Sequence, residues 1–264
     1  MKPLHVESTG SGRPLVFWHG WGLNLRVFDR LRTALAREHR VIAVDLPGHG
    51  HSDWSEDENV ELQLQRLSAT VPDGATLIGW SLGGQMAIRY AARQHDRLRA
   101  LILLHSTPRF VRAPDWPAGL DPEILARFAA DLQHDPVRTV SDFLELQTRG
   151  SSAAANTIDA LQHALSHHGT ARPSALQAGM RILMEGDLRA EAAQLRLPTL
   201  VVGGQHDRIT PPAASRALLQ LIPGARYLEL RRAGHVSFLS HESELLAALR
   251  TFTAAQQLMS EHHA

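Results

Sequence analysis

The chain has 264 residues, carries 27 basic against 27 acidic side chains and contains no cysteine. A length of this order builds a core that buries roughly three quarters of the surface exposed by the unfolded chain, so no covalent staples are needed. The missing cysteines exclude disulfides, thiolate metal sites and a cysteine nucleophile, and the balanced charge excludes a global field that would draw in nucleic acid.

The opening MKPLHVESTG is polar, and no stretch approaches the ~18 unbroken apolar residues of a membrane helix. A soluble, cytoplasmic protein with no membrane or nucleic-acid partner is expected. PLVFW (14–18) and VIAV (41–44) have the short apolar runs of buried strands, with a helical stretch at 26–38 between them. A helix at 60–70, a strand at 75–80, a helix at 83–94 and a strand at 98–104 follow. Strands alternating with helices predict an α/β fold, a mostly parallel sheet with helices on both faces.

Between 107 and 190 the pattern changes to prolines and helical runs such as PEILARFAADLQ and RTVSDFLELQT, without a strand signal. LPTLVVGG (197–204) resumes the strands, followed by a helix at 212–222, a strand at 226–230 and a closing helix at 242–255. The expected organisation is a core in two parts, 1–106 and 191–264, interrupted by a helical lid over 107–190.

Where the strand at 75–80 meets the next helix the chain reads Gly79-Trp80-Ser81-Leu82-Gly83. A nucleophile on so sharp a turn adopts strained dihedrals, and side chains two residues to either side would collide with the neighbouring backbone. Glycines there let Ser81 stand clear at the carboxyl edge of the sheet, where ligands bind in open α/β sheets.

A serine hydroxyl needs a base, and the base needs an orienting carboxylate. On this type of scaffold they follow in the order acid, then histidine. Asp207, in LVVGGQHDRITPP, lies just past a strand end, and the strand ARYLEL leads through RRAGH to His235. Both fall on loops at the edge that carries Ser81. Asp187, at the end of the insertion, is a rival for the acid. His206 adjoins Asp207 and points away from it, and His241 lies deeper in the terminal helix. The 16 histidines show no metal-ligand spacing such as H-E-x-x-H, so neither a metal nor an organic cofactor is expected.

The negative oxygen of an attacked carbonyl needs donors. One is the backbone N–H of Leu82; the other is the N–H of Trp21, which follows the His19-Gly20 turn in FWHGWG (17–22). Donors of this kind are worth ~2.7–4 kcal/mol each. DLPGHGHSD (45–53) reads as a tight loop with no assigned chemistry.

Taken in order, H-G, D-x-x-G-x-G-x-S, G-x-S-x-G-G, D and G-H resemble the α/β-hydrolase superfamily from about residue 13 to 254. Fold alone does not settle a substrate. HGWGLN (19–24), GWSLGG (79–84) and FLELQTRG (143–150) are similar to the pimeloyl-[acyl-carrier protein] methyl ester esterases of biotin synthesis. That resemblance implies a serine carboxylesterase whose partner is an acyl-carrier protein bearing a pimeloyl methyl ester. It also implies an acyl site lined by Trp21, Leu82, Phe143, Leu144, Glu145, Leu146 and Gln147, and docking of the acidic carrier by lid arginines, here Arg138 and Arg149, with Arg109 and Arg112 at the lid entrance.

Helical spacing brings Phe143, Leu146 and Gly150 near one face, and Val140 joins Phe143 and Leu144; such a face can pack on the core or roof an apolar channel together with Trp21, Trp80 and Phe238. The segment 107–190 holds eight arginines against ten acidic residues, so a basic dock requires charges that segregate by face. Other readings are a general short-chain carboxylesterase acting on small free esters, or a C–C hydrolase or aminopeptidase, for which Glu145 could hold an amine. A ligand-binding receptor with a vestigial triad is the non-enzymatic alternative, and the intact Ser-Asp-His set argues against it.

Overall fold

The computed structural model describes residues 2–148 and 154–261. Seven strands form one sheet: β1 Val6–Thr9, β2 Pro14–Trp18, β3 Arg40–Val44, β4 Ala75–Trp80, β5 Leu98–Leu104, β6 Thr199–Gly204 and β7 Arg226–Leu230. Their order is β1-β3-β2-β4-β5-β6-β7, with β1 antiparallel to β3 and every other pairing parallel. β4 and β6 are buried along their whole length, which is why their sequences read as unbroken apolar runs. β1 escapes sequence reading because its VEST is short, mostly exposed and at the sheet edge.

Alternate side chains separate two apolar layers. Val16, Trp18 and Leu77 face α2 (Val60–Ser68), α3 (Leu82–Gln94), α8 (Arg189–Gln194) and α9 (Pro212–Leu221). Leu15, Phe17, Ile78 and Trp80 face α1 (Asp29–Leu35) and α11 (Glu242–Glu261). Between β5 and α8 come four helices, α4 (Pro122–His134), α5 (Pro136–Thr148), α6 (Ala154–His168) and α7 (Pro173–Glu185). Three of the four begin on proline, whose fixed φ suits a first helical turn and whose missing N–H costs nothing there. These helices cover the carboxyl ends of β2 and β4: Trp21, just past β2, donates its indole N–H to Leu176 O of α7 at 2.8 Å. Among the described residues no helix is long and apolar enough to cross a membrane.

The expected helix at 26–38 is shorter than its pattern. Asn24 accepts the Arg26 N–H at 3.0 Å and starts a tight turn, Leu25–Phe28, and only then does α1 begin. The closing helix runs to Glu261 rather than 255.

Candidate active site

β4 ends at Trp80, and Ser81 turns the chain into α3 with φ +55° and ψ −116°. Such a conformation costs of order 1–3 kcal/mol for a residue with a side chain. The flanking glycines allow it. A Cβ on Gly79 would lie 2.5 Å from Gly83 O, and one on Gly83 would lie 2.3 Å from Trp18 O. Ser106, after β5, donates its hydroxyl to Ser81 O at 2.8 Å, and Ser81 N donates to Leu104 O at 3.0 Å, so the turn is pinned from the neighbouring strand.

Asp207 and His235 are brought together. His235 Nδ1–H donates to Asp207 Oδ2 at 2.9 Å, and both side chains are fully buried. Two further contacts hold the His235 backbone: Trp80 Nε1–H donates to His235 O at 3.0 Å, and His235 N donates to Gln147 O at 3.3 Å. The other ring nitrogen, Nε2, is buried and has no hydrogen-bond partner among the described residues. Asp207 Oδ1 accepts the N–H groups of Ile209 and Thr210, each at 2.9 Å. Burial alone would raise the Asp207 pKa; the interactions with His235 and His105 outweigh it and hold the carboxyl well below the usual carboxylate range.

His105 is the residue that sequence reasoning missed. It follows β5 in a left-handed conformation, φ +45°, and donates Nδ1–H to Asp207 Oδ2 at 2.9 Å. Its Nε2 accepts the Ser237 hydroxyl at 2.6 Å. Burial, more than its neighbours, pushes the His105 pKa down, which keeps the ring neutral in this bonding pattern. Thr210 Oγ1–H adds a third donor to the same oxygen at 2.7 Å.

The backbone N–H groups of Trp21 and Leu82 have no acceptor among the described residues. They sit at the two turns that end β2 and β4. His19 fixes the first of these. It donates Nδ1–H to Gly20 O at 2.8 Å and accepts Leu46 N–H on Nε2 at 2.9 Å, tying the turn to the loop after β3. Burial drives its pKa down to about 3. The loop given no chemistry above therefore has a structural task, reinforced by Asp45, which accepts Leu25 N–H at 2.8 Å and His51 N–H at 3.0 Å.

Of the inserted residues, Phe143 packs edge-on against the Trp21 ring, centroids 5.1 Å apart, and Gly179 of α7 sits against both Trp21 and Leu82. Leu144 is buried with the layer that contains Trp80 and Phe238. Leu146 is half-buried, Glu145 is exposed, and Gln147 is 1 % exposed with neither amide atom paired among the described residues. Trp80 and Phe238 meet edge-on, centroids 4.9 Å apart, and pack with Phe28 in the apolar layer that contains Leu144, whereas Trp21 packs in the layer that contains Leu176.

Asp187 lies apart from His235, in a surface network with Arg109 and Arg189. His206 is exposed, and His241 Nδ1 meets Ser240 Oγ at 2.8 Å. Arg112 pairs with Asp121, and Arg138 is exposed beside Asp142 at 3.7 Å. Arg149 and Gly150 lie outside the described residues. Among the described residues two groups gather three potential metal ligands: His105, Asp207 and His235, where the Asp207 contacts occupy Nδ1 of each ring, and His5, His51 and His168.

The α/β hydrolase fold family matches residues 13–242. A pimeloyl-[acyl-carrier protein] methyl ester esterase of Nitrosomonas europaea is 37 % identical over 247 residues, 94 % of this chain and 98 % of that protein. One of the same name from Xanthomonas campestris pv. campestris is 38 % identical over 255 residues, 96 % of this chain and 99 % of that protein. In three dimensions, an esterase from Exiguobacterium antarcticum superposes with a TM-score of 0.87 over 94 % of each chain at 23 % identity, a likeness of fold. The chain belongs to the α/β hydrolase fold family, in the branch that contains these curated relatives.

Proposed function

We propose that the protein is a cytoplasmic serine carboxylesterase that hydrolyses the methyl ester of a pimeloyl chain on acyl-carrier protein, releasing methanol and the free carboxylate for biotin synthesis. The observation that carries the substrate is the likeness to proteins of that name, 37–38 % identity along nearly the whole of both chains. The chemistry rests on Ser81 at its strained turn and on a His235 ring held by Asp207, with Nε2 buried and unpartnered among the described residues.

Ser81 Oγ attacks the ester carbonyl carbon as its proton passes to His235 Nε2. Asp207 holds Nδ1–H and stabilises the imidazolium. The N–H groups of Trp21 and Leu82 take the developing oxyanion. Collapse of the tetrahedral species expels methanol, which takes the proton from His235. Water, deprotonated by the same ring, then cleaves the acyl-enzyme and restores Ser81. No cofactor enters any step.

The helices of 107–190 act as the lid. Ser81 is 2 % exposed, so an ester reaches it along a passage through or between them. A largely apolar cleft of about 420 Å³ runs between α5, α6 and α7 beside Gly22, with Val140, Leu144, Leu165 and Leu176 on its walls. Such a cleft suits an extended acyl chain, with Phe143, Leu146 and Gln147 nearer the reacting ester. Glu145 is exposed and does not line this cleft. Arg138, 79 % exposed at its side chain, and Arg149 supply the positive charge that docks the acidic carrier.

The test compares kcat/KM for the carrier-bound pimeloyl methyl ester and for a free short-chain methyl ester, in the native protein and in Arg138→Glu. The expected result is a preference of about a hundredfold or more for the carrier substrate, with KM raised by Arg138→Glu for that substrate alone. Equal or better cleavage of the free ester makes the protein a general short-chain esterase.

A further inference from the structure

Away from Ser81, three histidines converge from distant parts of the chain: His5 just before β1, His51 in the loop after β3, and His168 at the end of α6. One ring nitrogen from each lies within 4.8 Å of the others. Ring centroids are 5.1 Å apart for His5–His51, 5.2 Å for His5–His168 and 4.0 Å for His51–His168. Three imidazoles on one tetrahedral ion, with metal–nitrogen bonds of about 2.0–2.1 Å, have ring centres about 5 Å apart. Two of the three spacings already match, and the third opens by a movement of the exposed His51.

Two of the rings are also oriented from behind. Asp45 Oδ2 accepts the Nε2–H of His168 at 2.8 Å, and Glu7 Oε1 accepts the Nε2–H of His5 at 3.3 Å. A carboxylate on the remote nitrogen fixes the tautomer and raises the basicity of the other, which is how proteins back imidazole ligands to metals. It leaves Nδ1 of each ring as the lone-pair atom. His168 Nδ1 now accepts Arg26 Nε–H at 3.3 Å, a long contact that Arg26 can release because its guanidinium also pairs with Glu7. The His51 ring has no hydrogen-bond partner among the described residues.

We infer that His5, His51 and His168 form a binding site for a divalent transition metal of the imidazole-preferring class, Zn²⁺ or Ni²⁺, with water as the fourth ligand on the exposed side. The site is separate from the ester chemistry and does not depend on it. His5 and His51 belong to the core and His168 to an inserted helix, so a bound ion clamps α6 onto the sheet.

Zn²⁺ is titrated into the full-length protein and followed by calorimetry and by thermal unfolding, in wild type, His51→Ala, His5→Gln and His163→Ala. His163, exposed on α6 and stacked on His167 at 3.8 Å, controls for chelation by surface histidines in general. Wild type and His163→Ala are expected to bind Zn²⁺ at micromolar concentration or below and to melt at higher temperature with it. His51→Ala and His5→Gln should each bind about tenfold more weakly or worse and lose the thermal shift. The inference is overturned by wild-type affinity and shift in His51→Ala, by their loss in His163→Ala instead, or by no binding tighter than millimolar. Because His51 is exposed and its ring makes no hydrogen bond among the described residues, the metal-free variant should unfold close to the wild-type temperature, which separates a lost ligand from a damaged fold.

Discussion

His105 and His235 hydrogen-bond the same oxygen of Asp207, each through Nδ1 at 2.9 Å. The carboxylate therefore divides its charge between a ring that stays neutral and the ring proposed to take the serine's proton. Removing the His105 donor takes one of three partners from that oxygen and loosens the carboxylate that holds the His235 ring, so His105→Leu should lower kcat/KM mainly through kcat, with KM little changed. Asn presents an amide N–H near the position of Nδ1 and tolerates φ > 0, so His105→Asn should keep most of the activity. A kcat unmoved in both variants would mean that His105 only fills space.

Gly83 stands where a methyl group would meet Trp18 O at 2.3 Å. Gly83→Ala should push the turn carrying Ser81 away from β2, destabilise the protein by about 1–3 kcal/mol, and lower kcat more than it raises KM. Urea unfolding and steady-state kinetics on the same preparation separate the two effects.

His19 links stability to pH. Its pKa is about 3 in the folded protein, against about 6.5 when exposed in the unfolded chain. Between those values the unfolded chain holds the extra proton, so the stability from this group is complete above about pH 6.5 and falls as pH drops. At pH 5 the loss is about 2 kcal/mol. His19→Gln should flatten the decline of melting temperature between pH 7 and pH 5, in part only, because burial lowers His49 and His105 in the same direction.

Arg66 and Glu58 make an ion pair at 2.6 Å with side chains 3 % and 0 % exposed, joining α2 to the loop before it. Glu58→Ala strands a buried cation and should cost about 3–5 kcal/mol, read as a lower urea midpoint with unchanged slope. The double variant Glu58→Leu/Arg66→Met should recover most of that loss.

The parallel strands and the Ser81 turn are legible in the sequence because their signals are local: unbroken apolar runs, and glycines at fixed offsets from one serine. Asp207 and His235 could be assigned from strand ends and chain order, and they meet at 2.9 Å. His105 could not, because its role comes from β5 and β6 being sheet neighbours, which brings two residues 102 positions apart into contact. The His5, His51 and His168 group has the same character: no spacing along the chain announces it. The helical face of Val140, Phe143 and Leu144 leaves packing on the core and roofing a channel equally open, because the sequence does not say which apolar layer each ring joins; Trp21 packs in one layer and Trp80 and Phe238 in the other.

The central claim is that Ser81 carries the acyl group between the two halves of hydrolysis. The most direct measurement is rapid-quench mass spectrometry of the protein mixed with pimeloyl-carrier methyl ester, with peptides mapped for the pimeloyl chain still joined to its carrier, in wild type, His235→Gln and Ser81→Ala. The predicted results are a carrier-linked pimeloyl adduct on Ser81 in wild type at early times, its loss in His235→Gln, which lacks the base for acylation, and a loss of turnover of roughly 10⁶-fold in Ser81→Ala. An adduct on another residue, or methanol release that persists in Ser81→Ala, would contradict the account.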